Sequence, residues 1–190
     1  MRILITGTTG GIGGALKRAA LSAGHAVAEV NRGDFDALDA ALVHHAPLDA
    51  LVFCTGACPV KPLGLLSDAE FEETFRVNCG LFVKLMRHIV AGKLNNPKGM
   101  KVVAISSVSA TEGWAGGAAY CAAKGALSAV CRALDAELKP RGISVAALEP
   151  RYVKTRMFDA CAGRMGVDPA LARDPDDFAR EILASLTFQV

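Results

Sequence analysis

The segment that most limits what this chain can fold into lies at its start. Arg2–Thr6 (RILIT) is a short apolar run with strand character. It leads without a spacer into Thr6-Gly7-Thr8-Thr9-Gly10-Gly11-Ile12-Gly13 and an Ala- and Leu-rich helical pattern over Gly11–Ala23. Glycine here lets the backbone turn sharply off the strand end and lets the helix pack close against it. The helix N-terminus, with unpaired N–H groups and a positive dipole end, is then open to an anion such as a pyrophosphate. A tight turn needs glycine whether or not it binds anything, so the rest of the chain must carry the reading.

The same alternation continues. Strands are expected at Ala26–Asn31, Ala50–Cys54, Lys101–Ser106 and Ser144–Leu148, with helices around Asp36–His45, from the Ser67-Asp68-Ala69-Glu70 capping box to about Ala91, and over Gly117–Lys139. The strands are nearly all apolar rather than alternating, which suits a parallel sheet covered on both faces. Right-handed strand–helix–strand crossovers then give a doubly wound, Rossmann-like α/β fold in a single domain over residues 1–190. The stretch from Thr155 is less regular until a helix near Asp176–Ser185, and Asp174, Asp176 and Asp177 read as a solvated loop and helix start.

Composition removes other classes. Hydrophobic residues make up 52% and charged residues 21%, too apolar for disorder. Net charge is +2 with scattered Lys and Arg, so neither nucleic acid nor an anionic membrane is an expected partner. Uncharged apolar stretches reach only about ten residues, too short to span a bilayer, and the N-terminus does not read as a signal peptide. The six cysteines suit buried free thiols and a cytoplasmic location. His25, His44, His45 and His88 lack metal-ligand spacing, so no metal site is expected.

Tyr120 and Lys124 stand four apart in a helical pattern and share one face. An ammonium beside a phenol favours the phenolate and tunes the tyrosine for acid–base work. Ser107 ends a strand thirteen residues before Tyr120, at the end of the sheet that faces the ligand crevice. Trp114, Met157, Phe158 and Met165 flank these motifs, as pocket lining or as core.

With these residues the chain resembles the short-chain dehydrogenase/reductase family over about residues 1–160. Thr6-Gly7-x-x-x-Gly11-Ile12-Gly13 matches its glycine motif, Asn78 its catalytic asparagine, Ser107, Tyr120 and Lys124 its Ser and Tyr-x-x-x-Lys, and Pro150 to Thr155 its Pro-Gly-x-x-x-Thr segment. The resemblance implies hydride transfer between a nicotinamide and a small carbonyl or alcohol substrate. Tyr120 would be the proton donor and Ser107 would orient the substrate oxygen. Lys124 would lower the tyrosine pKa and hold the ribose, with Asn78 holding a water. Cofactor contacts are expected from Gly7, Thr9, Gly11, Ile12, Gly13, Asn31, Arg32, Asp34, Thr55, Gly56, Tyr120, Lys124, Pro150, Val153 and Thr155.

Asn31 stands where NAD-preferring relatives carry an acidic residue, and Arg32 follows it, so NADP(H) is expected over NAD(H) and reduction over oxidation. Asp34 is expected near the adenine. The family's Asn-Asn-Ala-Gly reads Cys54-Thr55-Gly56 after Phe53, its Pro-Gly reads Pro150-Arg151, and its third strand is cut to a stub. A reduced substrate loop is expected over 155–175, and Phe188-Gln189-Val190 could begin a further strand. The Ala-rich helix Gly117–Leu138 suggests a homodimer, although its alanines could instead pack on the sheet. The rival from another class is a non-catalytic NAD(P)-binding regulator or sensor, favoured by Arg151 and the shortened loop.

Overall fold

The apolar runs assemble into one parallel sheet, β1 Arg2–Thr6, β2 Ala26–Val30, β3 Ala50–Phe53, β4 Met100–Ile105 and β5 Ile143–Leu148, in the order β2-β1-β3-β4-β5. The computed structural model describes residues 1–36, 38, 42, 45–92 and 94–187. Because side chains alternate along a strand, each strand feeds both faces. Leu4, Leu51, Phe53, Val102 and Ala104 point to one face, under α3 (Leu81–Ala91) and α4 (Ala118–Leu138). Ile3, Ile5, Val52, Val103 and Ile105 point to the other, under α1 (Gly11–Ser22) and α6 (Pro175–Thr187). Phe178, Ile182 and Leu186 of α6 complete that second layer, so the C-terminal helix packs with α1 as part of the core. Asp174 accepts N–H bonds from Asp176 and Asp177, which caps α6.

Four regions bear on the sequence reading. The expected helix at Asp36–His45 lies mostly outside the described residues, as do Phe188-Gln189-Val190, and Arg32–Asp36 forms a 3-10 turn. Among the described residues no strand stands between β2 and β3, so β2 is the sheet edge. The helix begun by the Ser67–Glu70 capping box is interrupted: α2 (Asp68–Phe75) passes into a π-helical turn, Arg76–Gly80, before α3. Finally, the region from Thr155 is more ordered than expected. Thr155 accepts the N–H of Phe158 and caps α5 (Arg156–Met165).

The sheet order reverses between β1 and β3, where the chain leaves in opposite directions to β2 and β4. A crevice at the carboxyl ends of the strands follows from that reversal, and it places the site.

Candidate active site

A cleft of about 570 Å³ opens along the carboxyl ends of β1, β3, β4 and β5. On its β1 side, Gly7 takes φ +66, a left-handed conformation that disfavours any side chain. Glycine at 11 and 13 is demanded by contact: a Cβ at Gly13 would lie 2.3 Å from the Gly7 carbonyl oxygen, and one at Gly11 would lie 2.4 Å from Cγ2 of Thr155. The first turn of α1 has neither a side-chain cap nor an acidic residue. Its N–H groups face the cleft beside Thr9, Gly10 and Gly11, which suits the donor set to a pyrophosphate.

The floor lies between β3 and β4. Thr6 ties the ends of β1 and β3 together, its Oγ1 accepting N–H bonds from Cys54 and Thr55 at 3.0 and 3.1 Å. Asn78, fully buried in the π-turn, donates through Nδ2 to the carbonyls of Ala57 (2.8 Å) and Thr74 (2.9 Å) and accepts from the Ala57 N–H (3.3 Å). Both its amide hydrogens are committed, so only a lone pair on Oδ1 remains for a water. A Cβ at Gly56 would sit 2.9 Å from that Oδ1 and 3.7 Å from Nζ of Lys124, which explains why this glycine is kept while its neighbours vary from the family pattern. Single-turn π-bulges of this kind often sit at functional sites.

Ser107 accepts the N–H of Ser109 at 3.1 Å, and Ser107 and Tyr120 line the same cleft. Burial pushes the Tyr120 phenol above its ordinary range, the nearby Cys58 thiol adds to that, and the polar Ser107 side chain opposes it. Nζ of Lys124 lies 5.6 Å from the centre of the Tyr120 ring and donates to the Ile105 carbonyl at 2.7 Å. Burial draws the Lys124 pKa down to about 8. The lysine's charge is held by a backbone carbonyl, and desolvation governs both groups.

Of the other sequence candidates, Gly7, Thr9, Gly11, Ile12, Gly13, Asn31, Arg32, Thr55, Gly56, Pro150, Val153 and Thr155 all line the cleft, as do Trp114, Met157, Phe158 and Met165. Asp34 does not. Its carboxylate turns back to accept the Asn31 N–H at 2.7 Å. Arg32 meets Glu73 at 3.2 Å, and the same carboxylate is held by Arg76 at 2.6 and 2.9 Å. Arg76 was visible in principle as an i,i+3 pair with Glu73. No local signal links Glu73 to Arg32 or Glu112 to Arg151. The thiols of Cys54, Cys58 and Cys161 also line the cleft, unannounced by any spacing; burial raises the first two, Cys54 to about 12.

Residues 35–164 match the family model for short chain dehydrogenases. The chain belongs to the short-chain dehydrogenase family. It is 35% identical over 122 residues to a short-chain reductase protein, NovJ, from Streptomyces niveus, covering 64% of this chain but 45% of that relative. It is 26% identical over 181 residues to the L-xylulose reductase of Bos taurus, covering 84% and 74%. A dehydrogenase/reductase from Sinorhizobium meliloti 1021 superposes with a TM-score of 0.80 at 24% identity, over 97% of this chain and 87% of that one. A variant of the actinorhodin polyketide ketoreductase, solved with NADPH, shares the fold at the same TM-score and 19% identity. As a short-chain dehydrogenase the chain has a Rossmann-like sheet and an NAD(P)-type crevice. Among its described residues no metal-ligating cluster forms, and no helix is long and apolar enough to cross a membrane.

Proposed function

We propose that this short-chain dehydrogenase is an NADP(H)-dependent reductase of a small carbonyl compound. The observation that carries the reading is the gathering of Ser107, Tyr120 and Lys124 in one cleft, with Lys124 5.6 Å from the centre of the Tyr120 ring and Asn78 locked behind it. When bound, the cofactor supplies a hydride for the carbonyl carbon. Tyr120 delivers its phenolic proton to the carbonyl oxygen, so one hydride and one proton are consumed per alcohol formed. Ser107 orients that oxygen. Lys124, still donating to the Ile105 carbonyl, would hold the ribose hydroxyls with its remaining N–H groups, and Asn78 keeps the π-turn fixed beneath it.

The pyrophosphate is assigned to Gly7, Thr9, Gly11, Ile12 and Gly13, the adenosine end to Asn31 and Arg32, and the nicotinamide half to Thr55, Gly56, Pro150, Val153 and Thr155. Asp34 reaches the adenosine only by releasing Asn31. The absence of a carboxylate at Asn31 and the guanidinium of Arg32 support NADP(H), and the ketoreductase of like fold carries NADPH. Assembly as a homodimer is supported by α4: Ala122, Ala129 and Ala133 are exposed on one face, and Phe71 and Phe75 of the neighbouring α2 are each 40% exposed. Turnover of a carbonyl panel with NADPH, against the Tyr120→Phe variant, tests the function and separates it from a non-catalytic sensor. Sedimentation tests the dimer.

A further inference from the structure

Four cations line the cleft, Arg32, Lys124, Arg151 and Arg156, and among the described residues lining it there is no carboxylate. Three of the four have places in the proposed function. Arg32 lies at the adenosine end, Lys124 lies on the floor, and Arg156 donates to the Thr9 carbonyl beside the phosphate turn at 3.3 Å. Arg151 is left over. It follows Pro150, whose carbonyl accepts the N–H of Val108 at 3.2 Å, so its loop is stitched to the segment that carries Ser107.

The Arg151 guanidinium is already gripping a carboxylate. Nη2 stands 2.8 Å from Oε1 of Glu112 and Nη1 stands 3.4 Å from Oε2, a two-point contact between side chains 63% and 50% exposed. Glu112 itself does not line the cleft. Exposed pairs of this kind contribute little to stability, so an incoming carboxylate can take the place of Glu112 at little cost. A planar guanidinium fits such a group with two parallel hydrogen bonds. The remaining wall is apolar, formed by Trp114, Met157, Phe158 and Met165.

We propose that the substrate is an oxo acid with an apolar body, whose carboxylate displaces Glu112 from Arg151 while its keto oxygen meets Ser107 and Tyr120. The proposal rests on the reductase reading and names the substrate class of the same site. Arg151 is then the specificity-determining residue, and Glu112 is a built-in competitor that sets the affinity. The two residues therefore act with opposite sign.

The test uses the NADPH-loaded protein and a series of oxo acids, the keto group at successive positions, each paired with its methyl ester. In the wild type the best acid exceeds its ester in kcat/KM by about tenfold or more, as a charge-assisted contact requires. Arg151→Gln brings that ratio close to one, through KM of the acid. Glu112→Gln raises the ratio several-fold, again through KM, and serves alone if the arginine variant does not fold. Equal use of acids and esters by the wild type, or a Glu112→Gln ratio that falls, overturns the proposal while leaving the reductase reading intact. If NADPH binds but no panel member turns over, the reductase reading fails. The carboxylate site is then decided by the fluorescence of Trp114, the single tryptophan, which lines the cleft. Saturable quenching by the acids alone supports the site, and no difference between acids and esters overturns it.

Discussion

At the floor of the cleft Asn78, Lys124 and Ser107 are 0%, 4% and 7% exposed, and backbone groups fix each of them. At the rim Arg32, Glu73, Arg76, Arg151 and Glu112 are about half exposed and hold one another through ion pairs. The difference separates two jobs. Buried polar groups cannot exchange partners without leaving a donor or acceptor unsatisfied, at about 1–3 kcal/mol each, so the floor keeps its geometry whatever occupies the cleft. Exposed pairs trade water and partners at small cost, so the rim can yield its own carboxylates to the charges of a ligand. In the proposed function, chemistry belongs to the floor and selection to the rim.

The sharpest way to break this division is at the floor. Tyr120→Phe removes the acid and leaves the ring, and kcat for carbonyl reduction should fall by about a thousandfold with little change in NADPH affinity, within the usual range for general acid catalysis. A residual rate within tenfold of wild type would mean that Tyr120 is not the proton donor. Gly56→Ala probes the floor without touching a reacting group. Its Cβ would lie 2.9 Å from Oδ1 of Asn78, so the asparagine or the β3 loop must move. A loss of about a hundredfold in kcat is expected, since small misplacements in a positioned site have effects of that size. If kcat holds, the floor is softer than its hydrogen bonds imply.

Lys124 shows what the floor costs in stability. Its pKa of about 8 lies below the ordinary 10.5, so the folded protein binds fewer protons than the unfolded chain between those values. Stability therefore rises with pH across that window, and the penalty of burying the charge is complete below it. Lys124→Met should be inactive yet more stable near neutrality, by about 2 kcal/mol, with the gap closing as pH climbs from about 8 toward 10.5. Urea melts of both proteins across this range check the sign, and a variant less stable at neutral pH would refute it.

At the rim effects should be smaller and dependent on salt. Arg32→Ala should weaken NADPH binding by about tenfold and leave NADH nearly unchanged. This is the lower end of a charge-assisted contact, because the wild-type guanidinium must first leave Glu73. A wild type that prefers NADH would remove the assignment. Glu73→Gln should tighten NADPH binding about two- to threefold at low ionic strength and do little at high salt, where exposed charges are screened. Calorimetric titration resolves both.

The sequence alone was enough for the alternating architecture, because apolar strands separated by helical patterns admit few topologies. It was also enough for the glycine turn and for bringing Ser107, Tyr120 and Lys124 to one cleft, which a strand end and a four-residue helical spacing dictate. Such features are local, and the backbone periodicities that create them act over a few residues. What depended on the tertiary structure joins distant segments. The π-turn that buries Asn78 forms against the Ala57 loop, and the desolvation that raises Tyr120 and lowers Lys124 comes from the packing around them. The same holds for Arg32 with Glu73 and for Arg151 with Glu112, pairs 41 and 39 residues apart. Which carboxylate meets which guanidinium is settled by sheet register and loop course, and these emerge only when the whole core is packed.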